Sequence, residues 1–340
     1  MKNKYGIRLI CAALIAAMLS CISTPLAYAL QQTGNKIIIK TAEDFNELAK
    51  KCTLDTWSQG KTVILANDID LDGEELSPIP TFGGSFDGSG YGISGIVIEN
   101  SGSNLGVFRY IQKGGEVKNL NITADIKPGG TKKNIGGIVG ENSGAIINCS
   151  FKGNLSAEVC AGGIAGINTV SGKISGCSAE GTITGEQLTG GIAGKNSGTV
   201  LSCRSSCSVN TTSREKQDKS INIEADPDAI LESMETSSEE DEEKSIPGHS
   251  DTGGIAGYSD GIIQGCENYG EIGYPHIGYN IGGIVGRQAG FILGCKNYGT
   301  VYGRKDAGGI VGQAEPYIKL NSTEKGVLED IKTSLKIFGS

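Results

Sequence analysis

Histidine is almost missing from this 340-residue chain, which contains only His249 and His276. The zinc-peptidase word H-E-x-x-H is absent, and so is any C-x-x-C pair of the kind that structural zinc sites use. Both histidines fall in loop-like stretches, so a histidine-activated nucleophile has no obvious place to form. The sequence therefore predicts no catalytic residues, no metal ligands and no cofactor.

An excess of basic charge is also missing, since the formal net charge is −8. Much of the acidity is local, because residues 211–250 contain twelve acidic and only four basic side chains. Nucleic acid and anionic membranes bind basic surfaces, so neither is an expected partner. The stretch 211–250 has no apolar periodicity, and we predict an acidic, disordered insertion there.

Long apolar runs are limited to one, Leu9–Leu19, which is shorter than the roughly 20 residues that a bilayer-spanning helix needs. Three basic residues precede this run, and the small-x-small sequence Ala27-Tyr28-Ala29 follows it. This order is typical of a signal peptide, predicted over residues 1–29. We therefore expect a secreted or cell-surface protein with no membrane span after signal cleavage.

Glycine, in contrast, is abundant, with 53 residues, and it recurs in a repeated word. The word is Gly136-Gly137-Ile138-Val139-Gly140, and further copies begin at Gly162, Gly190, Gly253, Gly282 and Gly308. Successive copies start 26 to 29 residues apart, except for one interval of 63 that contains the acidic insertion. A period in the high twenties predicts a solenoid, in which each repeat buries its apolar face only by stacking on its neighbours.

Each of the first five words is followed by a cysteine at an almost constant distance. These cysteines are Cys149, Cys177, Cys203, Cys266 and Cys295. A cysteine at one position of every repeat is expected to act as a small buried apolar residue, so the five should form one interior ladder. Metal binding is the alternative, but the missing C-x-x-C spacing argues against it. Cys203 and Cys207 form the one local pair that could oxidise.

Three landmarks in each repeat predict its fold. An aliphatic residue lies three positions before the cysteine, another lies six positions after it, and glycine, asparagine or serine stands directly before it. Glycine and asparagine tolerate a left-handed backbone, so this position predicts a corner between strands. We predict three short strands per repeat and an all-β, right-handed parallel β-helix, the handedness following from the preference of parallel crossovers.

Both ends of the solenoid carry helix signals. Thr41-Ala42-Glu43-Asp44 resembles a capping box, and helical apolar spacing continues to about Cys52, which predicts a short capping helix within an N-terminal cap at 30–60. Coils are then expected at 61–210 and 251–315. Residues 316–340 are predicted to begin a helical stalk, because apolar residues recur there with 3-4-3 spacing at Leu328, Ile331, Leu335 and Phe338.

The run Asp68-Ile69-Asp70-Leu71-Asp72-Gly73 opens like a calcium-binding loop. The twelfth position of such a loop needs a bidentate glutamate, and this chain has Ile79 there. The alternation of Asp and aliphatic residues is also typical of a strand with one buried face, and we favour that interpretation.

A family resemblance rests on several of these segments. S-F-D-G-S-G-Y-G-I-S-G-I at 85–96 and Val117-Lys118-Asn119-Leu120 resemble the opening coils of bacterial surface β-helices. The later G-G-I-V-G…N-S-G…I-x-N-C units resemble the GLUG motif, which occurs in large exported bacterial proteins, including the amino-terminal parts of immunoglobulin-A-protease-like metallopeptidases. The resemblance covers roughly 36–315 and implies architecture. It implies no peptidase activity for this chain, which lacks the zinc word.

A binding site is the remaining functional expectation. Tyrosines concentrate in the last repeats, and aromatic rings can stack on the apolar faces of sugars. The candidate residues are Tyr269, Tyr274, Tyr298 and Tyr302, with host or cell-wall glycans or surface proteins as partners. The alternative is that these rings only line surface strands.

A polysaccharide lyase or hydrolase is the rival function, with Glu267 and Glu271 as its best-placed acids. The third possibility is that the chain is the repeat region of a larger surface peptidase. We expect a structural spacer or an adhesion module without enzymatic activity.

Overall fold

The computed structural model describes residues 30–71, 76–99, 102–130, 132–212 and 250–315. These residues form an all-β parallel solenoid of about eight turns, built from four long sheets that run along its axis. One helix is present in this part of the chain. The predicted signal peptide, most of the acidic insertion and the predicted stalk at 316–340 lie outside the described residues.

Two of the four sheets, A and B, are connected by the corner before each cysteine. Sheet A contains β1 (Gln31–Thr33), β2 (Lys36–Ile39), β3 (Thr62–Leu65), β6 (Ser85–Asp87), β9 (Glu116–Lys118), β13 (Ala145–Ile147), β17 (Lys173–Ser175), β21 (Thr199–Leu201), β25 (Ile262–Gln264) and β29 (Phe291–Leu293). Sheet B contains β4 (Ile69–Asp70), β7 (Gly92–Ile98), β10 (Asn121–Ile126), β14 (Ser150–Ser156), β18 (Ser178–Thr184), β22 (Arg204–Val209), β26 (Glu267–Asn268) and β30 (Lys296–Asn297).

The other two sheets, C and D, meet at the repeated glycine word. Sheet C contains β5 (Ile79–Phe82), β8 (Phe108–Ile111), β12 (Val139–Asn142), β16 (Ala165–Asn168), β20 (Ala193–Asn196), β24 (Ala256–Ser259), β28 (Val285–Gln288) and β32 (Val311–Ala314). Sheet D contains β11 (Lys133–Gly136), β15 (Val159–Gly162), β19 (Gln187–Gly190), β23 (Ser250–Gly253), β27 (Tyr279–Gly282) and β31 (Lys305–Gly308).

Sheet D begins at β11, and each complete coil from β11 onward has four strands, so the prediction of three strands per repeat was wrong. The glycine word contains a corner: β11 ends at Gly136 and β12 begins at Val139. A Cβ atom on Gly137, inside this corner, would lie 2.2 Å from the Phe151 ring and 2.3 Å from the carbonyl oxygen of Gly163 on the next coil. The word is therefore a tight bend between two strands, where only glycine fits.

The predicted corner before the cysteine is present in each coil that carries one. Its residues Asn148, Gly176, Ser202, Gly265 and Gly294 have φ between 50° and 64°. A second left-handed column lies in sheet D, two residues before each word, and includes Cys160 and Leu188. No sequence pattern predicts this left-handed column, because its residues are chemically diverse.

A helix covers the N-terminal end of the solenoid, as predicted. Helix α1 (Ala42–Lys51) begins at a capping box, in which the Thr41 side chain accepts from the Asp44 amide and the Asp44 carboxylate accepts from the Thr41 amide. Phe45 and Leu48 on its inner face are fully buried, and the Phe45 ring meets Phe86 of sheet A edge-on. The helix thereby shields the first apolar layer from water.

The possible calcium loop falls on an edge of sheet B. Ile69 and Leu71 are buried, and the Asp68 carboxylate accepts from the amide of Gly92 at 2.8 Å. These contacts fit the strand interpretation. Asp72 lies outside the described residues.

A ladder of buried amides runs inside the corner between sheets C and A. Asn142 donates to Asn168 at 2.8 Å, Asn168 donates to Asn196 at 2.8 Å, and Asn196 donates to the Ser259 hydroxyl at 3.1 Å. All four side chains are fully buried. Asn142 also exchanges hydrogen bonds with the backbone of Gly144, and Asn168 donates to the carbonyl oxygen of Gly172, so these two rungs also close their own turns. The ladder satisfies polar groups that would otherwise be costly to bury.

The solenoid continues in register across the acidic insertion. Strand β22 pairs with β26, and β19 pairs with β23, although the insertion separates them in sequence. Asn210, on the outgoing side, donates to the Thr252 hydroxyl on the returning side at 2.9 Å. The two ends of the insertion are therefore adjacent.

Replacing Asn168 with alanine should destabilise the solenoid strongly. The change leaves amide groups of Asn142 and Asn196 buried without their partner, which costs about 2–4 kcal/mol of unfolding free energy. Urea unfolding, followed by circular dichroism, measures the loss. Asn154→Ala, at an exposed position on sheet B, is the matched control and should cost much less. Equal losses for the two variants would contradict a stabilising ladder.

Removing residues 213–249 and joining the ends with a short Gly-Ser linker should change the unfolding free energy by at most about 1 kcal/mol. The reason is that the coils on both sides already pair in register and the ends already meet at Asn210 and Thr252. Thermal unfolding of the deletion variant beside the full chain tests this. A large loss would show that the insertion packs against the coils.

Candidate functional site

Tyr269 and Tyr298 form a stacked pair on the outer face of sheet B. Their ring centroids are 4.8 Å apart and their planes differ by 18°. The two residues follow β26 and β30 at equivalent positions of neighbouring coils, so the strand spacing sets the separation of the rings. The guanidinium of Arg204, one coil earlier, lies 4.9 Å from the centroid of Tyr269. Arg204 and Tyr298 thus both lie against Tyr269.

An ionic cluster accompanies the stack. The Glu267 carboxylate accepts from the Tyr269 hydroxyl at 2.9 Å and from Arg204 at 3.1 Å, and Lys296 lies 4.0 Å from it. The hydrogen bond from Tyr269, reinforced by Arg204 and Lys296, lowers the pKa of Glu267. The same hydrogen bond raises the pKa of Tyr269. Glu267 is therefore a carboxylate held ionised, which is the opposite of what a glycosidase acid needs.

Two of the four tyrosines singled out in the sequence form the stacked pair. Tyr298 is the most exposed of them at 58%, and Tyr269 is 43% exposed. Tyr274 lies in the turn that bridges to Ile277, and Tyr302 follows the bridge between Ile272 and Val301. Within the described ranges, no ring contact connects Tyr274 or Tyr302 to the stacked pair. The candidate site therefore consists of the Arg204–Tyr269–Tyr298 stack with Glu267 and Lys296, which we call the tyrosine stack site.

The remaining acid–base candidates are not grouped with this site. His276 lies in the exposed turn after Tyr274 with φ of 62°, and His249 lies outside the described residues. Glu271 is exposed. In the part of the chain that the structure describes, no group of three or more His, Cys, Asp or Glu side chains could hold a metal ion.

A second charged cluster lies where the acidic insertion returns to the coils. Arg287 donates from two nitrogens to the two carboxylate oxygens of Asp251, both at 3.0 Å, and from a third to Glu315 at 2.9 Å. The guanidinium also lies 4.8 Å from the ring centroid of Tyr258. Burial, with nearby acids, raises the pKa of Tyr258. Sequence reasoning missed this cluster because its members are far apart in the chain. Arg287 lies between two carboxylates, one of them on the returning strand β23, so we assign the cluster the structural role of anchoring this strand.

The five repeat cysteines occupy one column at the corner between sheets A and B. The first four are buried, and Cys295, on the last described coil, is half-buried. Each of the five thiols donates to backbone carbonyl oxygens of its own turn and of the preceding coil, as Cys149 does to Ile147 at 3.4 Å and to Val117 at 3.7 Å. The Cys203 and Cys266 amides point at the sulfur atoms of Cys266 and Cys295 respectively, both at 3.4 Å. In contrast, Cys207 is four residues along the strand from Cys203, roughly 13 Å away, so the predicted pairing of those two thiols was wrong.

Comparison with known proteins connects this coil to a named repeat. The segments 133–156 and 157–184 each match the GLUG motif. Each segment is one coil of four strands, from β11 to β14 and from β15 to β18.

The chain carries GLUG repeats. The motif's glycines form the corner between sheets D and C, its asparagine forms a rung of the amide ladder, and its cysteine stands in the thiol column. The glycine corner packs tightly against neighbouring residues, and the asparagine and cysteine side chains are buried. The GLUG motif therefore defines a structural unit.

Among solved structures, one match is a protein from Bacteroides ovatus described as a "putative immunoglobulin A1 protease". The TM-score is 0.56 with 17% sequence identity, and the match covers 84% of this chain and 87% of the other. At this identity the likeness shows the shared β-helix fold. No curated protein matches the sequence significantly. None of the described helices is long and apolar enough to cross a membrane.

The buried thiol of Cys207, which lies outside the cysteine column, should make this GLUG protein less stable in alkali. Burial raises the pKa of Cys207 to about 12, whereas an unfolded thiol ionises near pH 8.5. Above the unfolded pKa, the unfolded chain therefore binds fewer protons than the folded chain, and stability should fall by up to about 1.4 kcal/mol per pH unit for this thiol.

Urea unfolding between pH 8 and pH 10.5 tests this prediction. Cys207→Ala should be less stable than the parent chain at pH 8 because of the lost packing, but its stability should decline less steeply with pH. Parallel declines in the two proteins would show that Cys207 does not cause the alkaline loss.

Proposed function

We propose that this protein is an exported GLUG β-helix that serves as a binding module for carbohydrate, with the tyrosine stack site as its contact surface. The observation that carries the proposal is the arrangement of the two rings. Among the described residues, Tyr269 is the only ring that stacks on Tyr298, whose side chain remains 58% exposed. A stacked aromatic ring with a free face is a fixed, low-entropy platform for the apolar face of a sugar.

Polar groups beside this platform support the same function. Glu267 and Lys296 each lie two residues before a ring of the stack and extend from the same outer face of sheet B. A sugar that stacks on Tyr298 presents hydroxyl groups at its rim, and a cation and a carboxylate can respectively donate to them and accept from them. Tyr269 has a supporting role, because Arg204 and Tyr298 both pack against it.

The state of Glu267 favours binding over hydrolysis or lysis. A polysaccharide hydrolase needs a protonated acid beside a second carboxylate, whereas Glu267 is held ionised by Tyr269 and two cations. A lyase needs a base strong enough to remove a proton from the cleaved unit, and the lowered pKa of Glu267 makes this carboxylate a weaker base.

Replacing Tyr298 with alanine should weaken carbohydrate binding at least tenfold, because the loss of a stacking ring costs about 1.4 kcal/mol or more. Tyr298→Phe should bind nearly as well as the parent, since the ring face is retained. The measurement is saturable binding of the full mature chain to mucin glycans, pectins and glycosaminoglycans by surface plasmon resonance. Tyr91→Ala removes a tyrosine that is 39% exposed in the first coils and is the matched control.

Two results would overturn the proposal. One is the absence of saturable binding to every glycan class, which would leave the spacer function. The other is turnover of a bound polysaccharide that Glu267→Gln abolishes, which would show an enzyme. Equal weakening by Tyr298→Ala and Tyr91→Ala would also contradict the assigned site.

A further inference from the structure

We propose that Cys266 and Cys295 are a site of oxidative modification, where a small-molecule disulfide converts the exposed end of the thiol column into a disulfide between the last two coils. The inference does not depend on carbohydrate binding. It starts from the register of the strands. Gln264 pairs with Leu293 and Glu267 pairs with Lys296, so Cys266 and Cys295 are directly opposite one another.

The distance between in-register residues suits a disulfide. Neighbouring parallel strands lie about 4.8 Å apart, within the 4.4–6.8 Å that separates the Cα atoms of most disulfides. The Cys266 amide donates to the Cys295 sulfur at 3.4 Å, so the two residues are already in contact. Bond formation therefore needs rotation about the side-chain bonds and little movement of the strands.

Solvent exposure of the sulfur atoms distinguishes this pair from the other cysteines of the column. A reagent must first reach a sulfur atom, and Cys149, Cys177, Cys203 and Cys266 are at most 2% exposed. Cys295 is half-buried, since it belongs to the last described coil. The isolated thiols Cys52, Cys160 and Cys207 are buried as well. Oxidation should therefore begin at Cys295 and pass to its only in-register thiol neighbour among the described residues.

The reaction balances with a disulfide such as oxidised glutathione. The Cys295 thiol loses its proton to water and attacks one sulfur of the reagent, which forms a mixed disulfide and releases one glutathione thiolate. The Cys266 thiol then loses its proton and attacks the Cys295 sulfur, which releases the second glutathione. Two protein thiols are oxidised by two electrons in all, and one disulfide reagent is reduced to two thiols.

The product would fasten the last coils at the end of the described solenoid. There the apolar residues Ile292 and Val301 are only partly buried, although their equivalents in earlier coils are fully buried. A covalent link between adjacent coils restricts the unfolded chain and opposes fraying from this end.

The experiment uses the full chain, reduced and then incubated with oxidised glutathione. After denaturation and alkylation, mass spectrometry should find two fewer alkylated thiols, and a non-reducing peptide map should connect the Cys266 and Cys295 peptides. The thermal midpoint should rise by several degrees, and reductant should reverse the rise. Cys295→Ala should abolish both the link and the rise.

Cys207→Ala is the matched control, because Cys207 is an equally buried thiol outside the column, and the link should form in this variant as in the parent. A stable mixed disulfide at Cys295 without the link would overturn the proposal. A link from Cys203 to Cys266 without one to Cys295, or no loss of thiols at pH 8.5, would overturn it as well. Circular dichroism of the reduced variants shows that each is folded before oxidation.

Discussion

Backbone hydrogen bonding between successive coils is the interaction on which the rest of this structure depends. Because the strands are parallel and in register, each residue lies about one strand spacing from its equivalent on the next coil. Each side chain therefore has the equivalent side chains of the two adjacent coils as neighbours along the axis. A position of the repeat can hold only a residue type whose side chains pack or hydrogen-bond with one another at this spacing. Aliphatic residues meet this condition by packing, as Ile138, Ile164 and Ile192 do in the fully buried core.

The same condition explains the polar interior. An asparagine amide donates on one side and accepts on the other, so a column of asparagines satisfies itself at the coil spacing. The ladder weakens where the side chain changes. Below Ser259 the equivalent residue is Gln288, which is buried, and neither its amide oxygen nor its amide nitrogen has a partner among the described residues. One additional methylene moves the amide out of line with the ladder above it. A thiol column is tolerant in a different way, because sulfur is apolar enough to be buried and still forms weak hydrogen bonds to its neighbours.

Features that repeat with the coil were predictable from the sequence. The solenoid and the left-handed corner at Asn148 and its equivalents are examples, because the local chemistry and the repeat point to the same geometry. The capping box at Thr41 was predictable from its local chemistry alone. The fourth strand was not, since the glycine word hides a corner at Gly137 that only the close approach of Phe151 and Gly163 reveals. The column that places Cys266 opposite Cys295 was predictable, because these cysteines recur at one position of the repeat. The contact of Asp251 with Arg287 was not, because neither residue belongs to a repeated pattern.

Stacking between coils also limits where the proposed ligand could bind. Side chains inside the solenoid are buried against their equivalents on neighbouring coils. The proposed recognition is therefore left to the outer columns, where the repeat places no requirement on side-chain identity. There the coil spacing has a further effect: an aromatic residue repeated on two coils stacks on itself, as Tyr269 and Tyr298 do, and only the terminal ring of such a stack keeps a free face. A longer tyrosine column would therefore add rigidity without adding binding sites. On the proposed mode of binding, the number of carbohydrate sites on such a β-helix equals the number of outer columns that end in an exposed ring. The total number of aromatic residues does not predict it.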